Sequence, residues 1–366
     1  MESLEQLKKL LLSLAPIPAP SLHEDNRANF CLKWLHDNGA KDAYVDEAKD
    51  VICPFGSDEG EQVVVCAHID TVFPDLEPYD MREEDGKLYC PGIGDNTANA
   101  AILMLCAKTL SDSGKELKHG GLKLVLNSGE EGFGNLKGCR AIVDRYKEKI
   151  HEFIAFDLSY PNIITTPIGS KRFHLNVQCK GGHSFYQFGN ENAIATLSSL
   201  ICRLYDQSLP DGECATYNVG RVEGGTSVNT IAEQAEAFYE IRATKTMVLE
   251  KLHENLIRIV DEYKGRGHVV DTELLATRPC GIVVSEAQEK LVGRLEDCIR
   301  RQTGREPIRK SGSTDCNYPA SLSIPSACIG LIRGYYPHTR QEYIELNSLE
   351  VGYRLAMDVL SYYFNE

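Results

Sequence analysis

Apolar residues follow two different rhythms along this chain. Near the start, Leu4, Leu7, Leu11 and Leu14 recur at helical spacing, which predicts an amphipathic helix stopped by Pro16. Ser21 followed by Glu24 has the spacing of a capping box, opening a second helix through about Leu35 that Gly39 can end. Val63–Cys66, Leu122–Leu126 and Phe153–Phe156 are short apolar runs of the kind found in strands buried on both faces. The stretches "TANAAILMLCAKTL" and "GCRAIVDRYKEKI" between them carry helical patterns. This alternation of strand and helix predicts an α/β fold with a mostly parallel sheet flanked by helices.

The rhythm changes near Ile168. "RFHLNVQCKGG" and "EAFYEIRA" alternate apolar with polar residues, as half-exposed antiparallel strands do, and two helical stretches, residues 192–207 and 244–265, lie among them. The first style returns with a helix over 285–304, the strand "SACIGLI" and a final helix from Ser348. The expected organisation is one domain built from residues 1–167 and 276–366, with a smaller α+β domain, 168–275, inserted into it.

Charge narrows the function classes. There are 39 Lys and Arg against 53 Asp and Glu, a formal net charge of −14, with no basic cluster, so nucleic acid and anionic membrane are not expected partners. The 13 cysteines include no C-x-x-C pair, and many sit in apolar runs, as reduced core residues of a cytoplasmic protein do. The first residues carry Glu2 and Glu5 where a signal peptide needs a basic start, and no apolar run reaches transmembrane length.

The chemistry lies in the residues just past each strand, because ligands of open parallel sheets bind beyond the carboxyl ends of the strands. After Val63–Cys66 come His68 and Asp70, and then Asp95 in "CPGIGDNTAN". After Leu122–Leu126, "NSGEEGFGN" sets Glu130 beside Glu131. Asp157 comes directly after Phe153–Phe156, and His338 comes after "SACIGLI". Singly, His68 is an ordinary core histidine, Asp95 a helix cap and the glutamate pair a solvated loop. Together, two histidines and several carboxylates at one sheet edge form a natural dinuclear metal site. "CPGIG" is no dinucleotide fingerprint, since no G-x-G-x-x-G comes after a strand there.

The order H-x-D, G-x-G-D-N, G-E-E-G, a strand-terminal Asp and H-T-x-x-E resembles the dinuclear zinc exopeptidase and deacylase family, which includes peptidase T, aminoacylase, acetylornithine deacetylase and glutamate carboxypeptidases. "KGGHS", "VEGGTSVNTIA" and "SGSTDCNYPA" support it, and the flavour is peptidase T-like. Two departures are "NTANAA" after the bridging aspartate, and an Asp as fifth ligand where some relatives use Glu. The resemblance implies two divalent ions, zinc first, with cobalt or manganese also admitted by the ligand set. Asp95 would bridge them, His68 and Asp157 would complete one site, and Glu131 and His338 the other. Glu130 would be the general base and acid, and Asp70 would hold the His68 imidazole. Neighbouring side chains of an extended segment point apart, so Glu131 would turn to metal while Glu130 faces substrate.

The resemblance also implies that the inserted domain is a lid and dimerisation domain. His183 would stabilise the oxyanion in the partner subunit's site of a homodimer. Asn229 and Arg242 would grip a substrate carboxylate, and Ser313 would line the substrate pocket. The expected function is hydrolysis of short peptides, di- or tripeptides, by metal-activated water. The alternatives are an N-acyl-amino-acid deacylase on the same metals and a peptide-binding protein without catalysis.

Overall fold

The computed structural model describes residues 2–209 and 214–365. It forms two compact units, Met1–Pro167 with Ile282–Glu366, and Ile168–Gly281. The second boundary falls six residues beyond the expected 275, because the strand Val269–Arg278 carries the antiparallel sheet past that point.

The larger unit is built on an eight-stranded sheet. Its order is Tyr44–Val45, Val51–Gly56, Gly121–Asn127, Gln62–His68, Ile150–Phe156, Ser326–Ile329, Asn162–Pro167 and Ile308–Gly312. The four central strands, Gly121–Asn127 through Ser326–Ile329, run parallel. Val51–Gly56 and Asn162–Pro167 run against this central set on either side. Side chains leave alternate faces of a strand, so the apolar runs split between two cores. Val65, Ala67, Leu124 and Ile154 pack with the helices Glu2–Leu14, Ala98–Ser113, Glu286–Thr303 and Ser348–Ser361. Val64, Cys66, Val125 and Phe153 pack on the other face with the helix Lys137–Tyr146. The result is three layers with every residue of Gly121–Asn127 buried, which explains why these runs are mostly apolar; the buried exception, Lys123, reaches Asp58 Oδ1 at 2.6 Å.

Several strands of this unit were not foreseen, among them three of the eight-stranded sheet, Val51–Gly56, Asn162–Pro167 and Ile308–Gly312. In Val51–Gly56, Pro54 argues against a strand. It is tolerated because the neighbouring Tyr44–Val45 pairs only as far as Ile52 and Val51, leaving Pro54 beside no partner on that side. Asn162–Pro167 and Ile308–Gly312 lie at the far edge, where burial is incomplete and the apolar signal is weak.

The smaller unit is a four-stranded antiparallel sheet in the order Ala215–Gly224, Gln234–Ala243, Gly169–Gln178, Val269–Arg278. Gln234–Ala243 buries every second residue, which is the alternation seen in its sequence. Those buried residues pack with the helices Ala193–Tyr205 and Thr246–Gly265. A two-residue ladder, Gly182–His183 with Thr230–Ile231, adjoins the Gln178/Gln234 end of the sheet.

Among the described residues no helix is long and apolar enough to cross a membrane. All thirteen cysteines are free, and ten are buried.

Candidate metal centre and active site

His68 is the last residue of a fully pleated strand, so its direction is set by the register of the sheet. Asp70 stands two residues later, fully buried, with Oδ1 at 3.4 Å from His68 Nδ1. The same carboxylate reaches across to the neighbouring strand's loop. Oδ1 accepts the Glu130 N–H at 2.9 Å, and Oδ2 accepts the Glu131 N–H at 2.9 Å. One aspartate therefore orients the imidazole and fixes the backbone of both glutamates. Burial alone would raise its pKa, but the His68 imidazole, the Ser21 hydroxyl and the Glu131 N–H hold it below the usual carboxylate value.

Asp95 sits between the two histidines. His68 Nε2 lies 3.1 Å from Asp95 Oδ1, and His338 Nε2 lies 3.0 Å from Asp95 Oδ2 and 3.0 Å from Glu131 Oε1. Burial works against the Asp95 charge, and the two imidazoles overcome it, so its pKa is depressed. His338 is raised to about 10 by its bonds to Asp95 and Glu131. Burial would lower His68, yet the bonds to Asp70 and Asp95 raise it well above its ordinary value. Asp157, directly after its strand, is pushed up to about 7 by burial and by the Asp95 charge. The cluster thus gathers its carboxylates around two imidazoles held in their charged form.

Its donors fit divalent metal. His68, Asp95 and Asp157 each bring one ligand atom within 4.8 Å of the other two, and so do Asp95, Glu131 and His338. The two triads share Asp95, and their imidazole and carboxylate donors suit zinc, cobalt or manganese.

One expectation is corrected by this geometry. Glu130 and Glu131 do not diverge: an oxygen of each lies within 4.8 Å of the other and of a His68 ring nitrogen. The segment is a two-residue span between Gly129 and Gly132, both at positive φ, and not a pleated strand. Gly129 at φ 61° places its N–H on the Glu24 carboxylate at 3.0 Å.

Glu24 itself belongs to a second correction. The Ser21–Glu24 pair caps no helix. The helix begins at Asp25, and no side chain caps it. The Ser21 hydroxyl donates to Asp70 Oδ2 at 2.6 Å, and Glu24 Oε1 accepts the Leu22 and Gly129 N–H groups. A turn at Leu22, φ 74°, redirects both side chains from the helix to the glutamate loop. Sequence spacing alone cannot separate these uses, because the same acceptor serves either N–H.

Glu342 is the residue whose role was missed. It closes the H-T-x-x-E motif, and it is buried. Its Oε2 accepts the Gly92 N–H at 2.8 Å, and its Oε1 accepts those of Gly94 and Asp95 at 2.7 and 2.8 Å. This explains the glycines of "CPGIGD". They feed backbone donors to a carboxylate, and a Cβ at Gly92 would lie 2.4 Å from Thr71 Cγ2. Burial and the Asp95 charge raise Glu342 to about 7, although the three N–H groups oppose them. The fixed spacing from His338 was its only signal. Arg27, also unforeseen and fully buried, donates to the Ile69 carbonyl at 2.9 Å and Thr97 Oγ1 at 3.1 Å, tying together the His68 and Asp95 segments.

Ser313 lines a cavity of about 430 Å³ in the same unit, together with Asp95, Ser159, Ile164, Lys310 and Tyr335. The remaining candidates lie in the smaller unit. His183 and Asn229 are exposed and adjacent: the Ser184 N–H donates to the Asn229 carbonyl at 3.0 Å. Arg242 is not with them. It stands eight residues along the strand from Gln234, roughly 26 Å at about 3.3 Å per residue. Its guanidinium is bound to Glu240, Nε to Oε1 at 2.6 Å and Nη2 to Oε2 at 3.1 Å. Arg242 and Asn229 of one chain therefore stand apart.

A mostly parallel sheet with a histidine and carboxylate cluster at its carboxyl edge defines the class of metal-dependent peptidases and amidohydrolases. Residues 64–362 match peptidase family M20/M25/M40, and the chain belongs to that family. It is 23% identical over 308 residues to succinyl-diaminopimelate desuccinylase of Maricaulis maris, covering 79% of this chain and 76% of that protein. Its fold is similar to that of aminopeptidase PepT from Bacillus cereus, with 20% identity, a TM-score of 0.72 and 97% of each chain covered. It is similar also to the dipeptidase Dug1p from Saccharomyces cerevisiae, with 16% identity, a TM-score of 0.79, and 99% of this chain and 97% of that one covered.

Proposed function

We propose that this enzyme is a di- or tripeptidase in which two divalent ions, zinc first, are held by His68, Asp95, Asp157, Glu131 and His338. The observation that carries the reading is Asp95 between two imidazoles, with Glu130 as a further buried carboxylate at the same cluster. A site that only stored metal would have no use for that extra acid.

Such ions would polarise a carbonyl and bring the pKa of water toward about 7. The chain's own residues do the rest. Glu130 takes a proton from the attacking water and delivers it to the leaving amine. Asp70 holds the His68 ring through Nδ1 and pins the Glu130 backbone through its other contacts, so the base is fixed before substrate arrives. Glu342 locks the turn that aims Asp95. His183 and Asn229 act from a second copy of the chain in a homodimer, His183 on the oxyanion. Their exposure and their distance from Arg242 support a role outside the small unit's own packing.

The test is zinc-supplemented hydrolysis of a tripeptide against the N-acetyl derivative of its last residue, with Glu130→Ala alongside. Preference for the tripeptide, lost in the variant, supports the peptidase. The likeness to the Maricaulis desuccinylase favours the second reading, an N-acyl-amino-acid deacylase, which preference for the acetylated substrate would establish.

A further inference from the structure

Four consecutive N–H groups of the glutamate loop donate to buried carboxylates from three other segments of the chain. The Ser128 N–H donates to Asp50 Oδ1 at 2.9 Å, and the Gly129 N–H to Glu24 Oε1 at 3.0 Å. Those of Glu130 and Glu131 donate to the two oxygens of Asp70, each at 2.9 Å. All three acids are 0% exposed. Asp50 comes directly before the strand Val51–Gly56, whose register sets Val51 opposite Leu126, so its side chain meets the chain where Gly121–Asn127 gives way to the loop. The loop's carbonyls are held from the other side: Ser128 C=O accepts the Gly138 N–H at 2.9 Å, and Gly129 C=O the Lys137 N–H at 3.1 Å.

Stability alone does not account for two of these acids. Asp50 Oδ2 and Glu24 Oε2 are buried without a hydrogen-bond partner among the described residues. Burial, and then the Asp46 charge, push the Asp50 carboxyl well above its ordinary range, and burial raises Glu24 as well. Well-packed apolar side chains commonly replace buried charges at no loss of stability. The chain also makes room for Asp50. A Cβ at Gly138 would lie 2.0 Å from its Oδ1, so the first turn of Lys137–Tyr146 carries a glycine where the carboxylate presses on it. What the acids fix is a segment with freedom to lose. Gly129 and Gly132, at φ 61° and 49°, flank the two glutamates, and glycine backbones are the most mobile of all. A catalytic group about 1 Å out of place can cost about 10²-fold in rate.

We propose that Asp50 and Glu24 are positioning residues for Glu130. Together with Asp70 they clamp the backbone from Ser128 to Glu131, so that the base is aimed by hydrogen bonds to its main chain. Neither acid touches the reacting atoms; each acts through the loop. The kinetic part of the inference rests on the hydrolase reading, and hydrogen exchange tests the clamp without turnover.

The experiment compares Asp50→Leu, which removes the acceptor, with Asp50→Asn, which keeps an oxygen for the Ser128 N–H. On zinc-saturated protein with trialanine, Asp50→Leu is expected to lose about 10–100-fold in kcat while KM stays within about 2-fold. Asp50→Asn should restore kcat, and Glu24→Ala should fall as Asp50→Leu does. Val359→Ala, a core truncation in the helix Ser348–Ser361, serves as a variant destabilised without touching the loop, and should keep wild-type kcat. In chelated protein, amide exchange over residues 126–133 should quicken in Asp50→Leu and Glu24→Ala, with residues 348–361 unchanged. Wild-type kcat in Asp50→Leu, an Asp50→Asn no better than Asp50→Leu, or an equal fall in Val359→Ala overturns the proposal. So does exchange that quickens evenly in both fragments, which would make the acids ordinary folding contacts. If Asp50→Leu does not fold, Glu24→Ala decides by the same readings. A wild-type protein that hydrolyses neither trialanine nor an N-acetyl amino acid sinks the hydrolase reading, and exchange alone then decides the clamp.

Discussion

In the larger unit, His68, Asp70, Glu130, Glu131 and Asp157 are buried, and Asp70 alone reaches the His68 ring, the Ser21 hydroxyl and the backbone of both glutamates. In the smaller unit, His183 and Asn229 stand exposed, His183 on a ladder of two residue pairs. The first group is held by the same sheet that makes the core, so its geometry is complete in one chain. The second has no such constraint. Most buried polar groups are hydrogen-bonded, so the contacts of the buried cluster report an arrangement completed within the chain. Exposed polar groups at a tip gain their meaning from whatever comes to meet them.

The sharpest way to break this contrast is at Glu130. Glu130→Gln keeps size and removes the base, and kcat is expected to fall by about 10²–10⁴ with folding unchanged. A variant that keeps near-wild activity would reduce the buried cluster to a metal store. His183→Ala comes next, with an expected loss of about 10²–10³ in kcat as an oxyanion donor. Mixing it with Glu130→Gln sharpens the comparison further. If His183 serves a partner's site, the two dead variants should recover activity on mixing, and a mixture that stays dead would return His183 to a surface role.

Asp70→Asn should cost about 10–100-fold in metal affinity or activity, because it loosens His68 without removing a ligand. Equilibrium dialysis with zinc reads this directly. Glu342→Ala leaves three buried N–H groups without their acceptor, and a destabilisation of about 2–4 kcal/mol is expected from thermal unfolding of the chelated protein.

The smallest effect concerns pH. In metal-free protein His338 titrates near 10, and His68 is also raised above its unfolded value of 6.5. Groups raised in this way stabilise fully below pH 6.5 and lose that contribution as pH climbs toward 10. Asp157, raised to about 7 from 3.8, lowers stability as pH rises between those values. The Tm of chelated protein should therefore fall between about pH 6.5 and about pH 9. The Tm increment from added zinc should grow over the same range, since donors must release protons to bind it. A flat metal-free Tm would show that the imidazoles are not paired as described.

The chemistry of the cluster was legible because parallel sheets put their reactive residues in one place. A buried run such as Leu122–Leu126 ends at the sheet's edge. The loop it feeds, with Glu130 and Glu131, arrives beside the one that carries Asp70 past the end of Gln62–His68. Ser21, Glu24, Arg27 and Glu342 were not legible in the same way. Each acts on groups from a distant part of the chain, and such partners leave no spacing to read.

The order of apolar and polar positions by itself determined the α/β sheet, the switch to an antiparallel unit near residue 168, and the donors that meet at the carboxyl edge. Period and burial are local consequences of residue type. Tertiary structure alone decided that Glu130 and Glu131 turn to the same imidazole, that Arg242 is spent on Glu240 far from Asn229, and that Asp50 meets the Ser128 N–H. Those outcomes depend on turn dihedrals and strand register, and a shift of one residue in either would reverse them.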